Sequence, residues 1–76
     1  MNKKKNIIFG AGKVGRMAIA HYLSNGVEIS YCIDNSENKQ NTVIMGVPVL
    51  SLEQLIQKKN EERWDDYVII ICGSIS

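Results

Sequence analysis

Asn6-Ile7-Ile8-Phe9-Gly10-Ala11-Gly12-Lys13-Val14-Gly15 is the stretch that decides the fold. Ile7-Ile8-Phe9 is a short apolar run of the kind that forms a strand buried on both faces. The six residues after it have the form G-x-G-x-x-G. Each glycine has a physical task in that form. Gly10 permits a tight strand-to-helix turn, Gly12 lets an anion approach the backbone, and Gly15 lets the helix pack against the strand. A helical pattern follows to Ser24, with Val14, Ala18, Tyr22 and Ile19, Leu23 at i, i+4 spacings. Asn25-Gly26 ends it, with Gly26 suited to the left-handed position after a helix.

Further along, Val27 to Asp34 alternates between apolar and polar or small residues and predicts a second strand. The pattern sets Val27, Ile29, Tyr31 and Ile33 on a covered face, and Glu28, Ser30, Cys32 and Asp34 on a poorly covered one. The strand ends on an acid nineteen residues after Gly15. A bare glycine motif is weak evidence, but a preceding strand, a following helix and an acid about 20 residues on supply the context that gives it a mechanism. The amides at the helix N-terminus, with the helix dipole, attract phosphate charge. Asp34 is placed to accept hydrogen bonds from the hydroxyls of an adenine-linked ribose and to repel a 2′-phosphate. No arginine follows in Asn35-Ser36-Glu37-Asn38, which favours NAD over NADP, while Lys39 keeps NADP open. The competing reading is a strand-glycine-helix turn that binds nothing.

Asn35 to Thr42 contains no apolar residue and predicts a loop. Val43-Ile44 and Val47-Pro48-Val49 flank Met45-Gly46, either as a tight hairpin or as halves of an irregular strand, and Pro48 argues for a sheet edge. Ser51-Leu52-Glu53-Gln54 has the capping-box form and opens a second helix. Leu52, Leu55 and Ile56 are its predicted inward stripe, and Lys58-Lys59 suit its negative end. Asn60 to Arg63 reads as a polar connection, and Val68 to Cys72 as the most apolar strand. Strands alternating with helices predict an α/β domain with a parallel sheet and right-handed crossovers.

Composition agrees with one small globular domain over residues 1–76. The net charge is +1, hydrophobic residues make up 45% and charged residues 22%. That balance argues against nucleic-acid binding by bulk charge and against disorder. The longest apolar run, Val68 to Cys72, is far short of the ~20 residues of a membrane span. Ile7-Ile8-Phe9 is too short for the core of a secretory signal. Cys32 and Cys72 read as reduced, buried thiols of a cytoplasmic protein. His21 lacks partners at metal-ligand spacing, Asp65-Asp66 point apart, and Trp64 and Tyr67 fall at the end of the sheet away from the glycine turn. No catalytic residue is evident.

The glycine turn followed by Ile19, Tyr22, Gly26 and a strand ending in acid resembles the start of many Rossmann dinucleotide-binding domains. Ile33-Asp34-Asn35, a polar loop with Lys39, and Met45-Gly46-Val47-Pro48-Val49-Leu50-Ser51-Leu52-Glu53-Gln54-Leu55 are more particular. They resemble the Rossmann-like nucleotide-binding domains of bacterial polysaccharide biosynthesis and nucleotide-sugar enzymes, which share their order of elements with CoA-binding domains. Members carry a glycine in the loop after the lysine, where this chain has Gln40-Asn41. The resemblance implies a three-layer α/β domain with two helices and a sheet of about four strands in the order 3-2-1-4. It implies a ligand site at Gly10, Ala11, Gly12, Lys13, Val14, Gly15, Asp34 and Asn35, with Gly73 and Ser74 reaching toward the nicotinamide side. NAD is the expected ligand, ahead of NADP or CoA, with a nucleotide-sugar as a further candidate. Such domains continue beyond this point, so the chain is expected to be part of a domain, the nucleotide-binding part of an enzyme and not catalytic alone. Homo-oligomerisation or docking to a further C-terminal region is expected to cover the last strand. Two alternatives stand beside this reading: an NAD-sensing regulatory domain, resembling those of potassium-transport regulators, and a docking domain without ligand.

Overall fold

The computed structural model describes residues 4–71. Its elements are β1 (Lys4–Phe9), α1 (Lys13–Ser24), β2 (Tyr31–Ile33), β3 (Val43–Ile44), β4 (Val47–Leu50), α2 (Leu52–Glu62) and β5 (Asp66–Ile71). The five strands form one sheet in the order β3-β4-β2-β1-β5. β1 pairs in parallel with β2 and β5, and β2 with β4; β3 alone runs antiparallel, against β4. The expected 3-2-1-4 order is therefore present as β4-β2-β1-β5. The fifth strand, β3, comes from the hairpin: Met45 and Gly46 adopt φ of 49° and 83°, the paired left-handed conformations of a two-residue turn that matches strand twist. The sheet is consequently mixed, and β4 is not its outermost strand. Pro48 is accommodated because the parallel β2–β4 register begins one residue later, at Cys32 opposite Val49.

The pleat of β1 sends adjacent isoleucines to opposite faces, and both are fully buried. Ile8 joins Ile19 of α1, Cys32, Val47 and Val49 on one face. Ile7 joins Ile33, Leu50, Leu55 of α2 and Trp64 on the other. One helix covers each face, giving the three layers expected of a strand–helix alternation. Burial of these apolar side chains is the main stabilising term, at roughly 1.5–3 kcal/mol for each one fully removed from water.

Four expectations are corrected. Cys32 is completely buried, so the face of β2 that it shares is well covered. Strict alternation also fails upstream, because Ile29 packs with Cys32 instead of with Tyr31 and Ile33. Ladder pairing starts only at Tyr31, and the chain before it is free of the pleat. In α2, Leu55 is the buried residue, whereas Leu52 and Ile56 are 49% and 52% exposed. The helix also runs through Asn60 to Glu62 before Arg63 ends it at φ 53°, where a polar connection was expected.

The helix ends follow their sequence signals. Ser51 Oγ accepts from the Gln54 amide and the Gln54 side chain accepts from the Ser51 amide, the reciprocal capping box. After α1, the Val27 amide donates to the Tyr22 carbonyl and the Gly26 amide to the Leu23 carbonyl, a Schellman closure with Gly26 at φ 77°. No helix among the described residues is long and apolar enough to cross a membrane.

Candidate functional site

The C-terminal ends of β1 and β2 deliver the glycine turn and Asp34 side by side. The Gly10 amide donates to the Ile33 carbonyl at 2.7 Å, extending the β1–β2 ladder by one step. Gly10 then takes φ 118°, which turns the chain into α1. Gly12 is the N-cap of α1, and the first helical bond runs from the Arg16 amide to its carbonyl at 2.9 Å. Among the described residues no side chain caps this terminus, and its first turn carries no acid. The amides of Lys13, Val14 and Gly15 precede the first helical donor, Arg16, and point out of the helix end, where the dipole is positive.

Two of the glycines stand in different circumstances. A Cβ at Gly15 would lie 1.7 Å from the Gly10 carbonyl oxygen, so the closeness of helix and turn excludes any side chain there. Gly12 has an extended backbone, φ −79° and ψ −162°, that every residue adopts. Among the described residues, a Cβ there would meet one group beyond its chain neighbours, Lys39 Nζ at 3.5 Å, an ordinary contact with the tip of a flexible side chain. Folding requires glycine at position 15. At position 12 the absent side chain leaves open space over the helix terminus.

Asp34 straps the turn in place. Its Oδ2 accepts from the Ala11 amide at 2.7 Å and its Oδ1 from the Ser36 amide at 2.7 Å. Burial raises the carboxyl pKa, but these two amides and the nearby Lys39 ammonium outweigh it and hold the group below its ordinary value. Each oxygen keeps accepting capacity after one bond.

The apolar-free loop after Asp34 is ordered by hydrogen bonds alone. The Lys39 and Gln40 amides donate to the Ser36 carbonyl, and Gln40 Nε2 donates to the Asp34 carbonyl at 2.9 Å. Asn41 stands at φ 62°, a left-handed conformation that asparagine tolerates better than most residues. Its amide donates to the Val49 carbonyl, and its Oδ1 accepts from Gln54 Nε2 at 3.1 Å. One glutamine side chain thus caps α2 and pins the loop. The capping box of Gln54 was legible in the sequence, whereas its contact with Asn41 and the roles of Gln40 and Asn41 were not; the tolerance of asparagine for positive φ was the available signal.

The structure brings together Gly10 to Gly15, Asp34 and Lys39. Lys13 and Val14 are exposed on the first turn of α1. Asn35 instead lines a hollow of about 430 Å³ with Gln40, Ser51 and Glu53, beside the start of α2. Gly73, Ser74 and Cys72 lie outside the described residues. A wider concavity, about 760 Å³, sits at the opposite end of the sheet against Lys5, Glu28, Tyr31 and Glu62. Three of its polar side chains are engaged with one another: Tyr31 donates to Glu62 Oε2 at 2.8 Å, and Lys5 Nζ is 3.9 Å from Glu62. Unspent donors, and not volume, locate the candidate site at the glycine turn. Among the described residues no group of three or more His, Cys, Asp and Glu could hold a metal ion.

A mixed α/β sheet with one helix per face, a glycine turn at the end of β1 and an acid at the end of β2 defines a Rossmann-like domain. Solved structures agree. The chain is similar to a UDP-D-quinovosamine 4-dehydrogenase from Vibrio fischeri, with a TM-score of 0.67 and 22% identity over 91% of this chain and 57% of that one. It is also similar to RSP, a Rex-family repressor, with a TM-score of 0.71 and 26% identity over 99% of this chain and 36% of that one. The structure of RSP in complex with beta-NADH matches with a TM-score of 0.69 and 27% identity, over 96% of this chain and 36% of that one. The chain thus spans just over half the length of the dehydrogenase and about a third of the repressor. No protein-family model matches the sequence, and no curated protein matches it significantly.

Proposed function

We propose that the chain is a nucleotide-binding module that holds the adenosine and pyrophosphate of NAD at the glycine turn. The observation that carries this is Gly12: among the described residues no backbone conformation and no packing contact requires glycine there, and the space it leaves opens on a helix terminus that no described side chain caps. The pyrophosphate would lie over Gly12 and the amides of Lys13, Val14 and Gly15. The remaining accepting capacity of Asp34 would take the ribose hydroxyls and disfavour a 2′-phosphate, which places NAD ahead of NADP and CoA. The likeness to a repressor solved with beta-NADH supports the choice of ligand.

The module belongs, on the motif Ile33-Asp34-Asn35 with Gly46-Val47-Pro48-Val49, to a nucleotide-sugar or polysaccharide-biosynthesis enzyme, and it is not catalytic alone. A second reading, a regulatory module that senses the state of NAD, draws on the likeness to the Rex-family repressor along nearly the whole of this chain. Isothermal titration with NAD, NADH, NADP, CoA and UDP-sugars tests both. Binding of NAD and NADH with similar affinity supports a cofactor-holding module, and a strong preference between them supports the sensor. No heat and no competition with any of these compounds overturns nucleotide binding and leaves a docking domain without ligand.

A further inference from the structure

We propose that Lys39 completes the phosphate site: its ammonium, carried on the loop between β2 and β3, reaches over the glycine turn and binds the pyrophosphate of the nucleotide. This deepens the reading of the turn as a nucleotide site and rests on it. From sequence, a basic residue shortly after the acid of β2 suggests a partner for a 2′-phosphate. The structure assigns the charge elsewhere. Lys39 Nζ stands 3.5 Å from where a Cβ of Gly12 would be, at the N-cap of α1. That is the end of the ligand site at which the helix amides are unspent. An ammonium there is a point charge with three donors, matched to a phosphate oxygen rather than to a planar group.

The loop holds Lys39 in this position from both sides. Its amide donates to the Ser36 carbonyl at 3.0 Å, and its carbonyl accepts the Thr42 hydroxyl. Gln40 and Asn41, the next two residues, are tied to Asp34 and to β4 and α2. The side chain itself is exposed, and the one ion pair within 4.0 Å among the described residues joins Lys5 to Glu62. The Lys39 charge is felt by Asp34 without a direct ion pair, so it is available to a phosphate. Ammonium, amides and dipole would then meet the pyrophosphate from two sides, with charge-assisted hydrogen bonds stronger than neutral ones.

The test is titration of wild type and Lys39→Ala with ADP, NAD and NADP, at low and moderate salt. ADP and NAD carry the pyrophosphate without a 2′-phosphate. All three are expected to weaken in parallel by about tenfold in the variant, the size of one lost charged hydrogen bond at an exposed site, with a shallower salt dependence. Unchanged affinity for ADP and NAD overturns the proposal, as does a loss confined to NADP, which would put Lys39 at the 2′-phosphate. Failure of the wild type to bind any of the three overturns the parent reading itself, so the two failures are told apart. An unchanged far-UV circular dichroism spectrum and melting temperature are expected for the variant, since Lys39 packs against nothing buried.

Discussion

The two ends of the sheet handle polarity in opposite ways. At the N-terminal end, polar side chains spend their capacity on one another. Tyr31 and Trp64 both donate to Glu62, at 2.8 and 2.7 Å, while their rings stack at 5.7 Å and Lys5 adds an ion pair. At the C-terminal end, side chains serve the backbone. Asp34 holds the Ala11 and Ser36 amides, Gln40 holds the Asp34 carbonyl, and the helix amides beyond Gly12 have no side-chain acceptor. A network that satisfies itself has little left for a ligand, whatever the size of the hollow beside it. An end built to hold a turn open, with donors unspent, is the candidate site. On the proposed reading the two ends of the open sheet divide the work, stability at one and binding at the other.

Gly15→Ala is the most severe way to break this division. The new Cβ falls 1.7 Å from the Gly10 carbonyl oxygen, so helix and turn must separate. A loss of about 3 kcal/mol is expected, at the upper end of overpacking costs, and a domain this small approaches unfolding at that level. Thermal denaturation followed by circular dichroism measures it, and a shift of a few degrees or less would show that the turn yields easily.

Asp34→Ala comes next, at about 2 kcal/mol, because two backbone amides lose a charged acceptor at a partly buried site. The pH dependence has a definite sign. A depressed folded pKa means that the contribution of Asp34 is present above the ordinary carboxyl value of 3.8 and is lost as pH falls through the lower folded value. Urea midpoints measured from pH 7 downward should converge for wild type and variant in acid. Curves that stay parallel would deny the strap its charge.

Tyr31→Phe probes the opposite end. Burial, followed by the hydrogen bond and charge of Glu62, pushes the Tyr31 hydroxyl up to about 12. Its share of stability is therefore present below pH 10 and is lost as pH rises toward 12. The variant should lose about 1 kcal/mol at neutral pH, show less of the alkaline decline, and bind nucleotide as the wild type does. Weakened binding would mean that the two ends are coupled.

Gly12→Ala has the smallest expected effect on folding, within about 0.5 kcal/mol, since its backbone is ordinary and its surroundings are open. Its effect on binding should be large, about tenfold or more, because the methyl group occupies the approach to the amides. Paired with Gly15→Ala, it separates a glycine that folding needs from one that the ligand needs. A destabilised Gly12→Ala protein, or one that binds normally, would erase that contrast.

Much of this was legible along the chain, and for local reasons. Ser51 with Gln54 capped α2 as written, and Gly26 closed α1, because caps involve residues a few positions apart. The apolar pair Ile7-Ile8 announced a strand covered on both faces, and the glycine turn announced the direction of α1. The covered state of Cys32 was not legible, since alternation implied an open face while α1 and the hairpin closed it. Nor was the exposure of Leu52 and Ile56: helical spacing sets which residues share a face, but not how much sheet lies beneath. The edge place of β5 was legible: the order 3-2-1-4 sets the last strand outermost, and Val68, Ile69 and Ile71 are exposed there, Ile71 at 81%.

By itself, the sequence determined the element order, the parallel core of the sheet, both helix caps and the conjunction of a glycine turn with an acid. These follow from periodicity, backbone conformational preference and short-range hydrogen bonding. Tertiary structure alone decided that Asp34 holds the glycine turn through Oδ2, that Asn41 lies left-handed with its side chain on Gln54, and that Lys39 stands over Gly12. Each of those depends on the distance between segments far apart in the chain. That distance is fixed by how tightly the two layers of side chains pack on the sheet, a property no local pattern carries.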